Sequence, residues 1–586
     1  MKDLLILRKY FLRYKWRMLL GIVFVIMSNY FRVWQPKLIR KGLDYVVHNL
    51  QAFQSGELAQ KDINHSLLYF GGMIIGAAIL SGIFMYAMRQ TIIVMSRLME
   101  YDLRKDILAR YFELDLSFFK THPTGDLMAR ISEDVSKVRM FTGPVILYAV
   151  NVSFLFIMVI YSMLKVSPQL TFYALLPLPI LSISIYFVSN IINKKSKRIQ
   201  ELLAGLNAYA QEVYSGIRVV KSFANEPVIA QHFDDQGADF QKKSLELARV
   251  DAAFRPMMMI LIGISTVVTV YKGGQLAVAG SISPGNIAEF VIYVNMLTWP
   301  VTAIGWMASL TQQAAASQKR INEYLNWQPT LLSGTYHPDD FIGHIEFIDV
   351  SFTYPETGIL ALDHAHFSIR PGEKIAIIGE VSAGKSTIVE LLIRTYDVSS
   401  GQILIDGVDI KEYDLAFLRK QFGYVPQVSF LFSDTIANNM RFGQESISQD
   451  ALTQMSKNIA IYEDITQLPD GFETLVGERG VTLSGGQKQR VAIVRAFLKN
   501  PQIFIFDDSL SAVDTVTEHK ILGFLSQSLS GKTAIIITHR LSPTFPYSRI
   551  MVMENGKILE YGTPDELLQH QNPYYMDMIR QTDISG

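Results

Sequence analysis

Six apolar runs fill most of the first three hundred or so residues, at roughly 17–36, 66–88, 140–164, 169–192, 257–278 and 286–308. Each approaches the ~20 residues that cross the hydrocarbon core of a bilayer as helix, and none holds a dense charge cluster. The pattern predicts a helical membrane domain with six spans. Composition agrees: only 18% of the 586 residues are charged, against about 25% in a typical soluble chain. Fifty-four Lys plus Arg balance 54 Asp plus Glu, which argues against a generally basic nucleic-acid binder or an acidic disordered chain. The chain has no cysteine, so disulfides, thiolate metal sites and cysteine nucleophiles are excluded.

Charge placement orients the spans. Lys2, Arg8, Lys9, Arg13, Lys15 and Arg17 precede the first run. Arg89, Arg97, Arg104, Lys105, Arg110 and Arg130 lie between the second and third, and Lys194, Lys195, Lys197, Arg198, Lys242 and Lys243 between the fourth and fifth. The connections near 165–168 and 279–285 are short and nearly uncharged, although the loop after Pro36 holds some lysines. The positive-inside rule then predicts a multi-pass protein of the cell membrane with both termini in the cytoplasm. Residues 1–15 are basic and amphipathic and lack a small-residue cleavage site, which predicts an interfacial helix rather than a cleaved signal. The long segments at about 89–139 and 193–255 read as helical extensions that turn over at DLSFFKTHPTGDL (115–127) and QEVYSGIRVVKSF (211–223). Periodicity leaves two readings of those tips open: solvated hairpins, or points on which a soluble domain pushes.

Beyond residue 340 the pattern changes. Short β-rich runs such as IEFIDVSFTY (345–354), KIAIIG (374–379) and IFIFD (503–507) alternate with helical stretches, as in a soluble α/β domain. GEVSAGKST (379–387) follows an apolar strand and opens a helical run; it is G-x-x-x-x-G-K-S in its required strand–loop–helix setting. Such a loop captures anions through backbone N–H groups and a helix N-terminus. Gly379, Ser382, Ala383, Gly384 and Thr387 are candidates for a phosphate cradle, Lys385 for neutralising β- and γ-phosphates, and Ser386 for ligating Mg²⁺. Asp507 emerges at the carboxyl end of a buried strand, as a second Mg²⁺ anchor. Asp508 can orient or deprotonate an attacking water. Helix capping is the plainer reading of such polar residues, and it suits Ser509 or Ser511 better than Asp507. His539 ends a further apolar strand, AIIIT (534–538), which places it beside the same phosphates. Downstream of the phosphate loop stands LSGGQ (483–487), followed by KQRVAIVRA.

Together these motifs closely resemble the ATP-binding cassette (ABC) exporter half-transporters of the multidrug or lipid type, over essentially the whole chain. The resemblance implies a six-span transmembrane domain (1–325), a linker (326–342) and an α/β P-loop nucleotide-binding domain (343–586), with ATP and Mg²⁺ as its ligands. In the family, the signature residues Ser484, Gly485, Gly486 and Gln487 close over ATP held by the opposite subunit's phosphate loop. The implied partner is therefore a second half-transporter, identical or different. By resemblance Tyr354 stacks on adenine, and Gln427 senses Mg²⁺ and contacts the transmembrane domain. Ser511 to Asp514 form the loop that crosses to the other site, and Gly477 to Gly480 touch the coupling helices. HPTGDLMARISEDV (122–135) and GIRVVKSF (216–223) resemble the coupling-helix regions.

Two positions depart from the family pattern. Asp508 stands where exporters usually have glutamate, which sets the carboxylate about 1 Å back; misplacement on that scale costs on the order of a hundredfold in rate. The chain then either pairs with a different half-transporter or hydrolyses slowly as a homodimer. Ser382 stands where glycine is usual. If the position needs φ > 0, serine costs about 1 kcal/mol; otherwise the loop simply tolerates a small residue.

The implied cargo is a hydrophobic or amphipathic drug or lipid. Asn29, Asn151, Asn190, Asn295 and Glu289 lie within spans as candidate cargo contacts, although asparagines also serve helix packing and Glu289 can lie at the interface. The run Met257, Met258, Met259 with Trp299 and Trp306 is either an adaptable lining or a set of lipid-facing and packing residues. An exporter and a weakly hydrolysing ATP-binding subunit that lends its signature motif to an active partner are both compatible with these residues. A soluble ATPase acting on nucleic acid is excluded by the spans.

Overall fold

The apolar runs of the first half lie inside helices much longer than a bilayer is thick. Lys15–Gln54, Gln60–Glu113, Glu226–Val278 and Pro284–Leu325 contain 40, 54, 53 and 42 residues. At 1.5 Å per residue the longest extends about 80 Å, against ~30 Å of hydrocarbon, so each carries polar turns beyond the membrane. The computed structural model describes residues 2–54, 60–444, 446–477, 483–542 and 545–585. Among them, five helical stretches are long and apolar enough to cross a membrane, the fifth being Thr124–Val166. Six were expected. The missing run, 169–192, is divided between helices Pro168–Leu175 and Pro177–Ser215, because Pro177 has no N–H to continue the first helix.

The chain forms two units, Met1–Phe112 with Gly125–Trp327, and Glu113–Thr124 with Gln328–Gly586. In the first unit the basic N-terminal stretch forms a turn of 3₁₀-helix, Lys2–Leu7, and a short helix, Arg8–Arg13. It is tied to the long helix Gln60–Glu113: Lys9 and Tyr10 donate to Asp106 (2.7 Å each), and Arg13 and Tyr14 to Asp102 (2.6 and 3.0 Å). Leu7 and Tyr10 are buried, while Leu5, Leu12 and Trp16 are exposed, the amphipathic split expected of an interfacial segment.

The polar residues inside the spans have partners. Asn29 Nδ2 donates to Asn151 Oδ1 at 2.9 Å, and both side chains are buried, so this pair packs helices together. Asn295 bonds back to the Val291 carbonyl of its own helix, while Asn190 is exposed. Glu289 is 0% exposed, so its side chain is packed among protein groups. It pairs with Arg40 (3.1 Å) and accepts from Tyr293 (2.9 Å), joining helices Lys15–Gln54 and Pro284–Leu325. The three methionines do not share a lining. Successive helical residues turn by about 100°, leaving Met258 buried, Met257 half-buried and Met259 exposed. Trp299 and Trp306 flank the ring of Tyr148 at 5.2 and 5.6 Å.

The second unit contains two sheets. Strands β1 (Ile345–Thr353), β2 (Leu360–Ile369), β4 (Ser400–Ile405) and β5 (Val408–Asp409) pair antiparallel in the order β2-β1-β4-β5. The other sheet runs β10-β9-β3-β8-β7-β6, where β3 is Lys374–Gly379, β6 Phe422–Val425, β7 Ile503–Asp507, β8 Thr533–Ile537, β9 Arg549–Glu554 and β10 Lys557–Gly562. All but β10 are parallel. Every residue of β7 and β8 is buried, the mark of a parallel sheet covered on both faces.

Residues 113–124, the tip between the second and third apolar runs, belong to this second unit. The expected coupling segment at 122–135 thus lies mostly in the first unit, and the helix within the second is Leu116–Thr121. Leu116 packs against the β-sheet core. Asp115 caps the short helix through Phe118 N (3.2 Å) and accepts from Thr330 N (2.8 Å) and Oγ1 (2.5 Å). Burial raises this carboxyl's pKa, but the bonds from Thr330 and Phe118 outweigh it and hold the group below its usual range. Its contribution is therefore complete above about pH 4 and is lost as pH falls through the depressed value. Asp115→Ala is expected to cost about 2 kcal/mol, read as a lower unfolding midpoint of the purified chain at neutral pH, with the gap to wild type narrowing in acid.

Candidate functional site

Strand order sets the site. Ile377 of β3 pairs with Ile537 of β8, and Ile537 with Asp507 of β7, so three carboxyl ends finish side by side, where open α/β sheets bind ligands. The loop 379–387 leaves β3, His539 follows β8, and Asp507 and Asp508 end β7.

The loop wraps tightly. Gly379 sits at φ 141° and a Cβ there would lie 2.0 Å from the Met553 carbonyl; Gly384, at φ 94°, would meet the Ala361 carbonyl at 2.3 Å. Ser382 adopts φ 68°, so the condition under which serine strains the loop is met. Ala383 is buried. Lys385 opens the helix Lys385–Leu392 and is itself buried, its Nζ donating to the carbonyls of Gly379 (2.8 Å) and Glu380 (2.5 Å). Burial lowers its pKa. A buried ammonium held only by neutral carbonyls suits an incoming anion.

Asp507 is 4% exposed, and its Oδ1 accepts from the Ser386 hydroxyl at 3.2 Å. Burial raises its pKa, assisted by Asp508; a cation there would reverse that effect. Among the described residues no cluster of three His, Cys, Asp or Glu could hold a metal. A hydroxyl and one carboxylate fit Mg²⁺, which characteristically takes few protein ligands together with phosphate oxygens and waters. Gln427, just past β6, is exposed and donates to Asp508 Oδ2 at 3.5 Å. Asp508 is also left-handed, at φ 44°. Asp508 and His539 line one cavity of about 250 Å³, with Ser509, Ser511 and Glu518 on its walls.

Tyr354, just after β1, is half-buried, and its hydroxyl lies 2.8 Å from Glu390 and 3.0 Å from Thr387. Lys120 of the 116–121 helix stands over the rings of Tyr354 and Tyr396 at 5.1 and 4.9 Å and pairs with Glu390 at 3.6 Å. Glu390 is legible as the position one turn after Thr387 on the same helix. Lys120 carried no sequence signal, since its neighbours come from distant chain.

Ser484 caps the helix Gly485–Leu498 in a capping box with Gln487: its Oγ accepts from Gln487 N (3.3 Å) and its N–H donates to Gln487 Oε1 (2.9 Å). Gly486 lies where a Cβ would meet the Ala512 carbonyl at 2.7 Å, and Gln489 reaches the Asp508 carbonyl and the Ala512 N–H. The signature helix is thus braced on the loop after β7. That loop is closed by Asp514, not by Ser509 or Ser511, as the cap of helix Thr515–Ser528. Among the described residues no hydrogen bond or ion pair joins 484–487 to 379–387. Glu478, Arg479 and Gly480 of the expected coupling-contact loop lie outside the described residues. In the first unit, the helix Ile217–Ser222 has no buried residue, and Val219 and Phe223 are 61% and 79% exposed.

Comparison with known proteins shows the family. Residues 18–301 match the family profile of the ABC transporter transmembrane region, and residues 362–511 that of the ABC transporter. The chain is similar to the multidrug resistance-like ATP-binding protein MdlA of Escherichia coli (strain K12), 34% identical over 98% of this chain and 96% of that protein. It is likewise similar to the probable multidrug resistance ABC transporter ATP-binding/permease protein YheI of Bacillus subtilis (strain 168), at 34% with the same coverage. An ATP-dependent lipid A-core flippase of Pseudomonas fluorescens (strain Pf0-1) is 34% identical over 81% of this chain and 79% of its own length.

The left-handed Ser382 makes a direct prediction. Ser382→Gly removes about 1 kcal/mol of strain, so ATP binding measured by titration calorimetry is expected to tighten severalfold; unchanged affinity would mean that the loop carries the serine without cost.

Proposed function

Because the chain belongs to the ABC transporters, with transmembrane region and ATPase domain fused as in exporter half-transporters, we propose that it uses ATP to export a hydrophobic or amphipathic drug or lipid as a dimer. The observation that carries this reading is the meeting of the phosphate loop, Asp507, Asp508 and His539 at three adjacent strand ends. As in the family, the second chain of the proposed dimer would supply the signature motif that closes over the nucleotide.

In this reading Lys385 and the loop N–H groups bind the β- and γ-phosphates, Tyr354 receives the adenine, and Asp508 orients the attacking water beside His539. Ser386 and Asp507 would hold Mg²⁺, with Gln427 reaching the neighbouring Asp508. The ion, when bound, offsets charge on the phosphates. Ser484, Gly485, Gly486 and Gln487 face the partner's nucleotide. Transport proceeds by alternating access, with closure of the two ATPase domains carried through residues 113–124 and the helix Ile217–Ser222. The exposed Val219 and Phe223 favour a role for that second tip in seating on a partner. The basic residues before the first span and within the long hairpins favour an orientation with both termini in the cytoplasm.

Asp508 favours a second reading, in which this chain is the slow member of a heterodimer and lends its signature to an active partner. The test is ATPase activity of the purified chain in liposomes, screened with drugs and lipids, beside Asp508→Glu and Asp508→Asn. A slow wild type accelerated about tenfold or more by Asp508→Glu supports a degraded site. Brisk wild-type turnover that the glutamate does not raise removes the heterodimer argument, and stimulation by no lipid or drug counts against the proposed cargo class.

A further inference from the structure

The phosphate loop contains an acid. Glu380 directly follows Gly379, at the start of a loop whose N–H groups and Lys385 are arranged for anions. Its backbone carbonyl accepts from Lys385 Nζ at 2.5 Å. A carboxylate free to swing over this loop would oppose phosphate binding, so where its side chain goes has consequences for affinity.

Parallel pairing of β3 with β9 sets Gly379 opposite Met553, and so brings Glu380 beside Glu554 at neighbouring strand ends. Two carboxylates so placed repel each other. Between them stands Tyr574 of the C-terminal helix Pro573–Ser585, its hydroxyl 2.9 Å from Glu380 Oε1 and 2.9 Å from Glu554 Oε1. A phenol carries one hydrogen, so the two acids share a single donor, and Glu380 is held on the β9 side. The two carboxylates, Glu554 foremost, push the phenol above its usual pKa and keep it a donor. The helix that delivers Tyr574 is anchored independently: Tyr575 is buried against Ala376 and Ile378 of β3, Val552 of β9 and Leu567, with Tyr574, Met578 and Ile579 packed on the same cluster.

We propose that Tyr574 is a positioning residue for the nucleotide site, holding the Glu380 carboxylate clear of the phosphates, so that docking of the C-terminal helix sets nucleotide affinity. The proposal rests on the reading of 379–387 as an ATP site. It makes the last helix a handle on an otherwise distant loop, which a bound partner or a truncation could work.

The experiment measures MgADP and MgATP binding to the purified full-length chain by titration calorimetry, together with KM and kcat for ATP. Tyr574→Phe keeps the ring in its apolar cluster and removes only the hydroxyl. It is expected to weaken binding and raise KM about fivefold while leaving kcat and the unfolding midpoint unchanged. Adding Glu380→Gln to Tyr574→Phe is expected to restore wild-type affinity, because a neutral amide does not repel phosphate. Loosened packing would not be repaired by that second change. Wild-type affinity in Tyr574→Phe, or a double variant as weak as the single one, overturns the proposal. A wild-type chain that binds no nucleotide overturns the ATP-site reading and this proposal together.

Discussion

Ile377, Ile537 and Asp507 form one row across three parallel strands, and that register is the constraint on which the nucleotide half depends. Side chains alternate along a strand, so a slip of one residue turns every buried group to the other face. Near-uniform burial of β3, β7 and β8 resists such a slip, because both faces of these strands are already covered. The row then delivers a cationic loop, a carboxylate pair and a histidine to one edge with no further adjustment. The same construction buries a cation, Lys385, and a carboxylate, Asp507, at neighbouring strand ends, where each moderates the other's charge.

Much of this was legible in the chain. The phosphate loop, the strand aspartates and His539 are short motifs attached to apolar strands, and local sequence places a residue at a strand end reliably. Ser382 shows the same locality: a loop of this type fixes its own dihedrals, so left-handed backbone there follows from the motif. Other features depend on chain far away. Lys120 reaches Tyr354 and Glu390 only because residues 113–124 fold with the second unit, and periodicity in a helical extension says nothing about which core it joins. Asn29 and Asn151 read as cargo contacts or as packing residues, and their mutual bond supplies a packing role that the sequence alone did not pair up. The six runs became five qualifying helices because one proline interrupts a stretch whose composition alone looked continuous.

The membrane half follows a similar economy of polar groups. Glu289 lies wholly buried with Arg40, Tyr293 and Asn286 around it, and in a medium without water each of these partners limits the cost of the charge. The N-terminal stretch, which looked like a free interfacial helix, is fixed by two aspartates one helical turn apart on Gln60–Glu113. Its outward apolar residues remain exposed, while Lys9 and Arg13 are engaged with protein.

The inclusion of residues 113–124 in the second unit has a consequence for how the molecule is made. Leu116 packs against that unit's hydrophobic core, and Asp115 accepts hydrogen bonds from Thr330. The ATPase domain therefore incorporates a segment that leaves the ribosome long before the rest of it, between two helices already committed to the bilayer. Folding of this unit has to bring together stretches separated by more than two hundred residues, a closure with a higher entropic cost than one between neighbours in sequence.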